Sequence, residues 1–175
     1  MWENTIPACI CEGGAEQGIL ELLLDHEKLI FSWENLLSGE IIRKRDAKSF
    51  QNEYLRMDMD KKVVLFGVLD SRRENFKLSP AYADKVEVYN VVTAPEIEML
   101  IIISEGRYKD YKKSSYQKPS DYCKQVLRKK SIKKKENVKK YFKDINQLMW
   151  VLKEYKSIAK VRKGEMTIFD LVKEE

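Results

Sequence analysis

Cys9-Ile10-Cys11-Glu12-Gly13-Gly14-Ala15-Glu16-Gln17-Gly18-Ile19-Leu20 is the stretch that decides the fold. A short apolar run stops at a carboxylate, two glycines follow, and Ile19, Leu20, Leu22, Leu23 and Leu24 then take up a helical pattern. This predicts a buried strand over about 6–11, a tight turn, and a helix over about 16–25. Pro7 sits near the beginning of the strand, where a missing donor costs little. Glu12 then stands at the strand's carboxyl end and Glu16 in the first helical turn, on the edge where open α/β sheets bind their ligands. Glu16 also has a local explanation, since a negative charge is favourable near a helix N-terminus.

The flanking chain extends the same alternation. Residues 40–43 predict a short strand, and Asp46 caps a helix carrying Phe50, Tyr54 and Leu55. The run Lys62-Val63-Val64-Leu65-Phe66-Gly67-Val68-Leu69 is almost continuously apolar, as in a parallel strand covered on both faces. It ends on Asp70-Ser71-Arg72-Arg73-Glu74, so another carboxylate falls at a strand's end. Residues 85–92 predict a fourth strand, Pro95 suits the first position of a helix over 96–104, and Gly106 ends it. The order is that of an α/β domain with a mostly parallel central sheet of about four strands flanked by helices.

From Arg107 the composition changes. Residues 107–140 hold 14 Lys and Arg against Asp110, Asp121 and Glu136, a charge of +11; the total is +5, so the remainder carries −6. Helices are predicted over about 121–130, 138–142 and 145–158, the last capped by Asp144. Ile145, Leu148, Met149, Leu152 and Tyr155 recur at helical spacing, which suits packing on the main domain. The expected organisation is an α/β domain over 1–106 and a basic, Lys-rich C-terminal helical extension over 107–175 packed on it.

The totals exclude several classes. At 175 residues the chain fits one ordinary domain with a small appendage. Three cysteines, two at positions 9 and 11 of an apolar strand and the third alone in a basic helix, do not make a disulfide framework. No apolar run reaches the roughly 20 residues that span a bilayer, and residues 1–4 do not resemble a signal peptide. The expectation is a reduced, cytoplasmic protein with no membrane partner. The single histidine, His26, excludes His-rich zinc sites and HExxH, and its place at a helix end is one where a cation is simply favourable. There is no GKS/T and no GxGxxG.

What remains is a set of acids at strand ends: Glu12 with Glu16, Asp70, and Glu96 with Glu98. Oxygen ligands without histidine suit Mg²⁺ or Mn²⁺, and such an ion positions a phosphate and stabilises the charge developing on it. The same acids are also what a solvated sheet edge carries. Arg72 and Arg73 either pair with them or cradle a phosphate, which a guanidinium matches in bidentate fashion.

Ile10-Cys11-Glu12-Gly13-Gly14-Ala15-Glu16 resembles the hhhEGxxD/E start of the Toprim domain of topoisomerases, primases, OLD-family nucleases and small maturation nucleases. The resemblance covers roughly residues 5–105. It implies that Glu12 does acid–base work and that a later strand ends in a DxD pair holding Mg²⁺. Asp70 matches the first acid of that pair, and Arg72 stands in place of the second. It further implies metal-assisted phosphodiester cleavage of DNA or RNA, with Glu16, Glu96 and Glu98 as supporting acids. A role in phage defence and an ATPase as a separate subunit are implied as well. The departure at Arg72 keeps open a non-catalytic nucleic-acid-binding or partner-binding module.

In the extension, Lys112, Lys113, Lys129, Lys130, Lys133, Lys134 and Lys135 are interleaved with tyrosines. Lysines bind phosphates by releasing counterions, and tyrosines can stack on bases. A solvated lysine surface with tyrosines packed beneath it has the same composition.

Overall fold

The computed structural model describes residues 4–44, 46–56, 59–69 and 76–174. Strands β1 (Thr5–Cys11), β2 (Ile42–Arg43), β3 (Lys62–Leu69), β4 (Val86–Val92) and β5 (Glu165–Met166) form one sheet in the order β2-β1-β3-β4-β5. Every pairing is parallel. The register aligns Ile10, Gly67, Asn90 and Glu165 in one row across the sheet. The helices are α1 (Gly14–Asp25), α2 (Ala47–Tyr54), α3 (Met99–Ser104), α4 (Tyr108–Lys113), α5 (Pro119–Gln125), α6 (Lys135–Tyr141) and α7 (Ile145–Ile158).

The strands form where the apolar runs predict them, because a parallel strand must hide both faces. Cys9, Cys11, Val64, Phe66, Val68 and Val91 point to one side, into a core closed by α1, α3, α5, α6 and α7. Ala8, Ile10, Val63, Leu65 and Val86 point to the other, against Phe50 of α2, Leu55 and Phe76.

The strand count and the start of one helix differ from the expectation. The sheet has five strands, not about four, and the fifth comes from residues 165–166, inside the stretch expected to be wholly helical. That stretch also belongs to the main core: Tyr122, Val138, Leu148, Leu152 and Leu171 lie in one buried cluster with Cys9 and Leu20. The reason is the breadth of the apolar face presented by α1 and α3, which leaves buried work for α7 and the C-terminal turn. α3 is also shorter than predicted. It begins at Met99, the turn over residues 97–98 taking up the start of the predicted span. It ends as predicted at Gly106, whose φ of +66° suits the left-handed position. There Gly106 N–H donates to Ile103 O and Arg107 N–H to Ile102 O, which satisfies the last carbonyls of the helix.

The C-terminal segment is stitched to the first helix–loop unit. Ile30 N–H donates to Leu171 O and Lys173 N–H to Lys28 O, each at 2.9 Å. Its turn closes on Asp170, which accepts from Thr167 N–H (2.6 Å) and the Thr167 hydroxyl (2.7 Å) and pairs with Lys156 Nζ (2.6 Å). Partial burial pushes the Asp170 carboxyl up, but Lys156 and Thr167 more than offset it, and the group titrates below its ordinary value. A depressed folded value means the stabilisation is complete above the unfolded pKa and is lost as pH falls through the folded one. Asp170→Asn is therefore expected to flatten part of the fall in urea midpoint between about pH 5 and pH 2. An acid limb identical to that of the native protein would remove Asp170 from this role. No described helix is long and apolar enough to cross a membrane.

Candidate functional site

The order β2-β1-β3-β4-β5 makes the chain leave β1 toward one side of the sheet and β3 toward the other. In such doubly wound sheets the crevice beyond the carboxyl ends of those two strands is the ligand site. The turn after β1 carries Glu12 and Gly13. β3 ends at Leu69, and Asp70, Arg72 and Arg73, which follow it in the sequence, lie outside the described residues.

Beside this point a cleft of about 310 Å³ opens between the start of α1 and the turn after β4, lined by Gly13, Glu16, Glu96, Glu98 and Lys133 among others. Gly13 is the N-cap of α1 and offers no side-chain cap. Glu16, in the first turn and 4% exposed, folds its carboxylate back over Gly13, where a Cβ would meet Oε2 at 2.0 Å. A side chain at Gly13 would push that carboxylate aside. Glu12 is half-buried, one residue past β1, and its carbonyl accepts from Arg43 Nη2 at 3.1 Å. It adjoins the cleft through Gly13 and does not itself line it.

The opposite wall is held by α7 and by β3. Thr93 N–H donates to Leu69 O (3.1 Å), the Tyr155 hydroxyl to Pro95 O, and Lys160 N–H to Ala94 O (3.2 Å). On this wall the two predicted acids separate. Glu96 Oε2 accepts from Ser120 N–H at 3.0 Å and so caps α5, a structural task. Glu98 is 3% exposed, and its Oε1 accepts no hydrogen bond among the described residues. Lys133 Nζ stands 3.2 Å from that oxygen as a charge contact. Partial burial works against the Lys133 ammonium, but the fields of Glu98, Glu96 and Glu16 outweigh it and hold its pKa above the ordinary lysine value.

The lysines fall into two groups. Lys135 pairs with Glu21, and Lys129 pairs with Glu105 while lying over the Tyr141 ring. Lys112, Lys113, Lys130 and Lys134 are exposed and make no ion pair among the described residues. The tyrosines are packing residues. Tyr122 is 3% exposed and makes edge contacts with Tyr111 at 5.4 Å and Tyr116 at 5.7 Å, so base stacking by the buried Tyr111 and Tyr122 is overturned. The aromatic surface that alternates with lysine in the sequence is turned inward by the helices that carry it.

Lys133 enters the cleft because its backbone lies on α1. A Cβ on Gly14 would meet Lys133 O at 3.0 Å and Lys135 N at 3.1 Å, and one on Gly18 would meet Lys135 O at 3.0 Å. The space at Gly14 is thus taken by the basic connector of residues 131–135, not left for a phosphate. The signal in the sequence was the pair of glycines four apart on one helix face, the spacing that lets another backbone approach closely. It was not tied to the lysines more than a hundred residues away.

The donors are oxygens and suit a hard divalent ion. Among the described residues, however, no three of His, Cys, Asp and Glu stand close enough to enclose one. The thiols do not help: burial, more than the nearby carboxylates, pushes Cys11 up to about 12, so it stays protonated. A complete ligand set at this edge would need Asp70 or bound water beside Glu98 and Glu16. No family model matches the chain, and no curated protein or solved structure matches it either.

Proposed function

We propose that the chain is a Toprim-like nucleic-acid-processing protein that cleaves phosphodiester bonds of DNA or RNA with Mg²⁺ or Mn²⁺. The observation that carries this is the buried Glu98 carboxylate in an open cleft beside the sheet's switch point, where the one partner of its Oε1 among the described residues is the mostly exposed Lys133 ammonium at 3.2 Å. A buried carboxylate is costly to leave without a strong partner, and a divalent ion is the strongest. Glu12 would do the acid–base work. Asp70, Glu98 and Glu16 would hold the metal, and Arg72 and Arg73 would meet the phosphate. Glu96 serves this set indirectly, through α5. The exposed Lys112, Lys113, Lys130 and Lys134 would draw in the nucleic acid. A role in phage defence beside a separate ATPase subunit follows from the Toprim resemblance.

A non-catalytic nucleic-acid-binding module is the second reading, favoured by Lys133 standing on Glu98 and by the absence of a three-ligand group among the described residues. The two separate in one assay. Labelled DNA and RNA are incubated with Mn²⁺ or with a chelator, and both cutting and salt-dependent binding are measured. Cutting that needs Mn²⁺ and is lost in Asp70→Asn supports the enzyme. Binding without cutting, weakened by neutralising Lys112, Lys113, Lys130 and Lys134 and indifferent to Asp70→Asn, supports the module. Neither cutting nor binding overturns both.

A further inference from the structure

Tyr111 and Tyr122, the aromatics expected beside the lysines, are buried, whereas α7 presents an aromatic side chain outward. Trp150 is 50% exposed, the most exposed large apolar side chain among the described residues. It lines a groove of about 650 Å³ between α7 and the C-terminal turn, where the half-buried Met149, Phe169 and Val172 supply apolar surface. Phe169 is already covered by the Lys156 ammonium, 5.7 Å from the ring centroid, and Lys156 is itself paired with Asp170. The Trp150 indole has no ring or cation over it among the described residues. Lys153, about one turn along α7, and Lys173, on the facing segment, line the same groove; both are exposed and make no ion pair among the described residues. Glu174 is the one carboxylate of the lining that Lys156 does not hold, so two free ammonium groups face one free acid.

We infer that this groove binds single-stranded nucleic acid, with an unpaired base stacked on the Trp150 indole and the neighbouring phosphates met by Lys153 and Lys173. The free flat ring and the charge complementarity together favour this occupant: every base offers a π-face, and lysines bind phosphates by releasing counterions. A helical peptide would instead need a row of apolar pockets for its i, i+3, i+4 and i+7 side chains, and the one exposed apolar side chain of this groove is Trp150. Inside a duplex the bases already cover one another's faces and leave the indole nothing to stack on. The inference rests on the chain acting on nucleic acid and names the form of the polymer it takes. α7 also ties the groove to the cleft. Beyond its end, Lys160 N–H holds Ala94 O in the turn that leads to Glu96 and Glu98, and the rise from Trp150 to the helix end at Ile158 is about 12 Å. A strand held at Trp150 therefore lies along the helix that supports the cleft wall.

The test measures fluorescence anisotropy of labelled oligothymidine, oligouridine and a DNA duplex, all with a chelator present so that nothing is cut. Trp150→Ala is expected to weaken binding of both single strands about five- to hundredfold and of the duplex by less than about twofold. Trp150→Phe keeps an aromatic face and is expected to retain most of the affinity. Lys153→Met and Lys173→Met are each expected to lower the slope of log affinity against log salt on single strands by about 0.7. Lys112→Met, outside the groove, is expected to weaken single strands and duplex alike. Single-strand affinity unchanged in Trp150→Ala overturns the stack while nucleic-acid binding stands, and so does equal loss on single strands and duplex at the native urea midpoint. If Trp150→Ala unfolds, the lysine variants decide: unchanged salt slopes overturn the groove. An acidic peptide bearing leucine and phenylalanine that binds the native chain but not Trp150→Ala, while single strands bind both, gives the groove to a protein partner and overturns the inference. No nucleic acid bound by the native chain overturns the nucleic-acid reading and the groove with it.

Discussion

Glu12→Gln is expected to reduce metal-dependent cleavage by about 10²–10⁴-fold, the range for removing a positioned acid–base group. Glutamine keeps the shape and cannot take or give a proton at that position. Glu12 lies just past β1, and what fixes its backbone is the Arg43 contact to its carbonyl, which the substitution leaves in place. The loss should therefore appear in the single-turnover rate with Mn²⁺ while half-saturating nucleic acid stays near native. The pH–rate profile should lose the limb that reports deprotonation of the base. A residual rate above about one tenth of native would take Glu12 out of acid–base work, given the size of effect such groups have.

The largest effect on the fold is expected at Phe66→Ala, with a loss of about 3–5 kcal/mol. Phe66 is 1% exposed on the central strand β3, with the Phe31 ring stacked at 5.4 Å and the Tyr89 ring at 5.8 Å. The strand is pinned by β1 on one side and β4 on the other, so its backbone cannot move in to fill the cavity. Domains of this kind are stable by only about 5–15 kcal/mol, so the variant loses a large share of the total. Urea unfolding should show a lower midpoint with an unchanged slope. A loss below about 1 kcal/mol would mean that the face of β3 is not packed as described.

The parts of this fold that were legible in the sequence are those that one segment determines alone. The four predicted strands formed, most plainly the apolar runs that became β1 and β3, since a strand buried on both faces has few ways to be anything else. Asp144 capped α7 through Asn146 N–H, and Gly106 ended α3. The parts that were not legible need two distant segments at once. Residues 165–166 are too few to show a period, and they are a strand only because β4 offers an edge. Tyr122 reads as a surface aromatic among lysines until Tyr111 and Tyr116 close around it. For the candidate site, the acids were found by their places at strand ends. Their division of labour was not: Glu96 caps α5 and Glu98 does not, although they are only two residues apart. Lys133 was counted with its neighbours because charge alone does not say which of several lysines turns inward.

The position of β5 has a bearing on synthesis. Residues 165–173 cover the edge of β4, bond to Lys28 and Ile30, and bring Ile168 and Leu171 into the core. Until they have emerged from the ribosome, β4 ends the sheet with unpaired backbone groups, an invitation to pair with another chain. During synthesis the sheet therefore carries an adhesive edge until residues 165–173 are available to cover it.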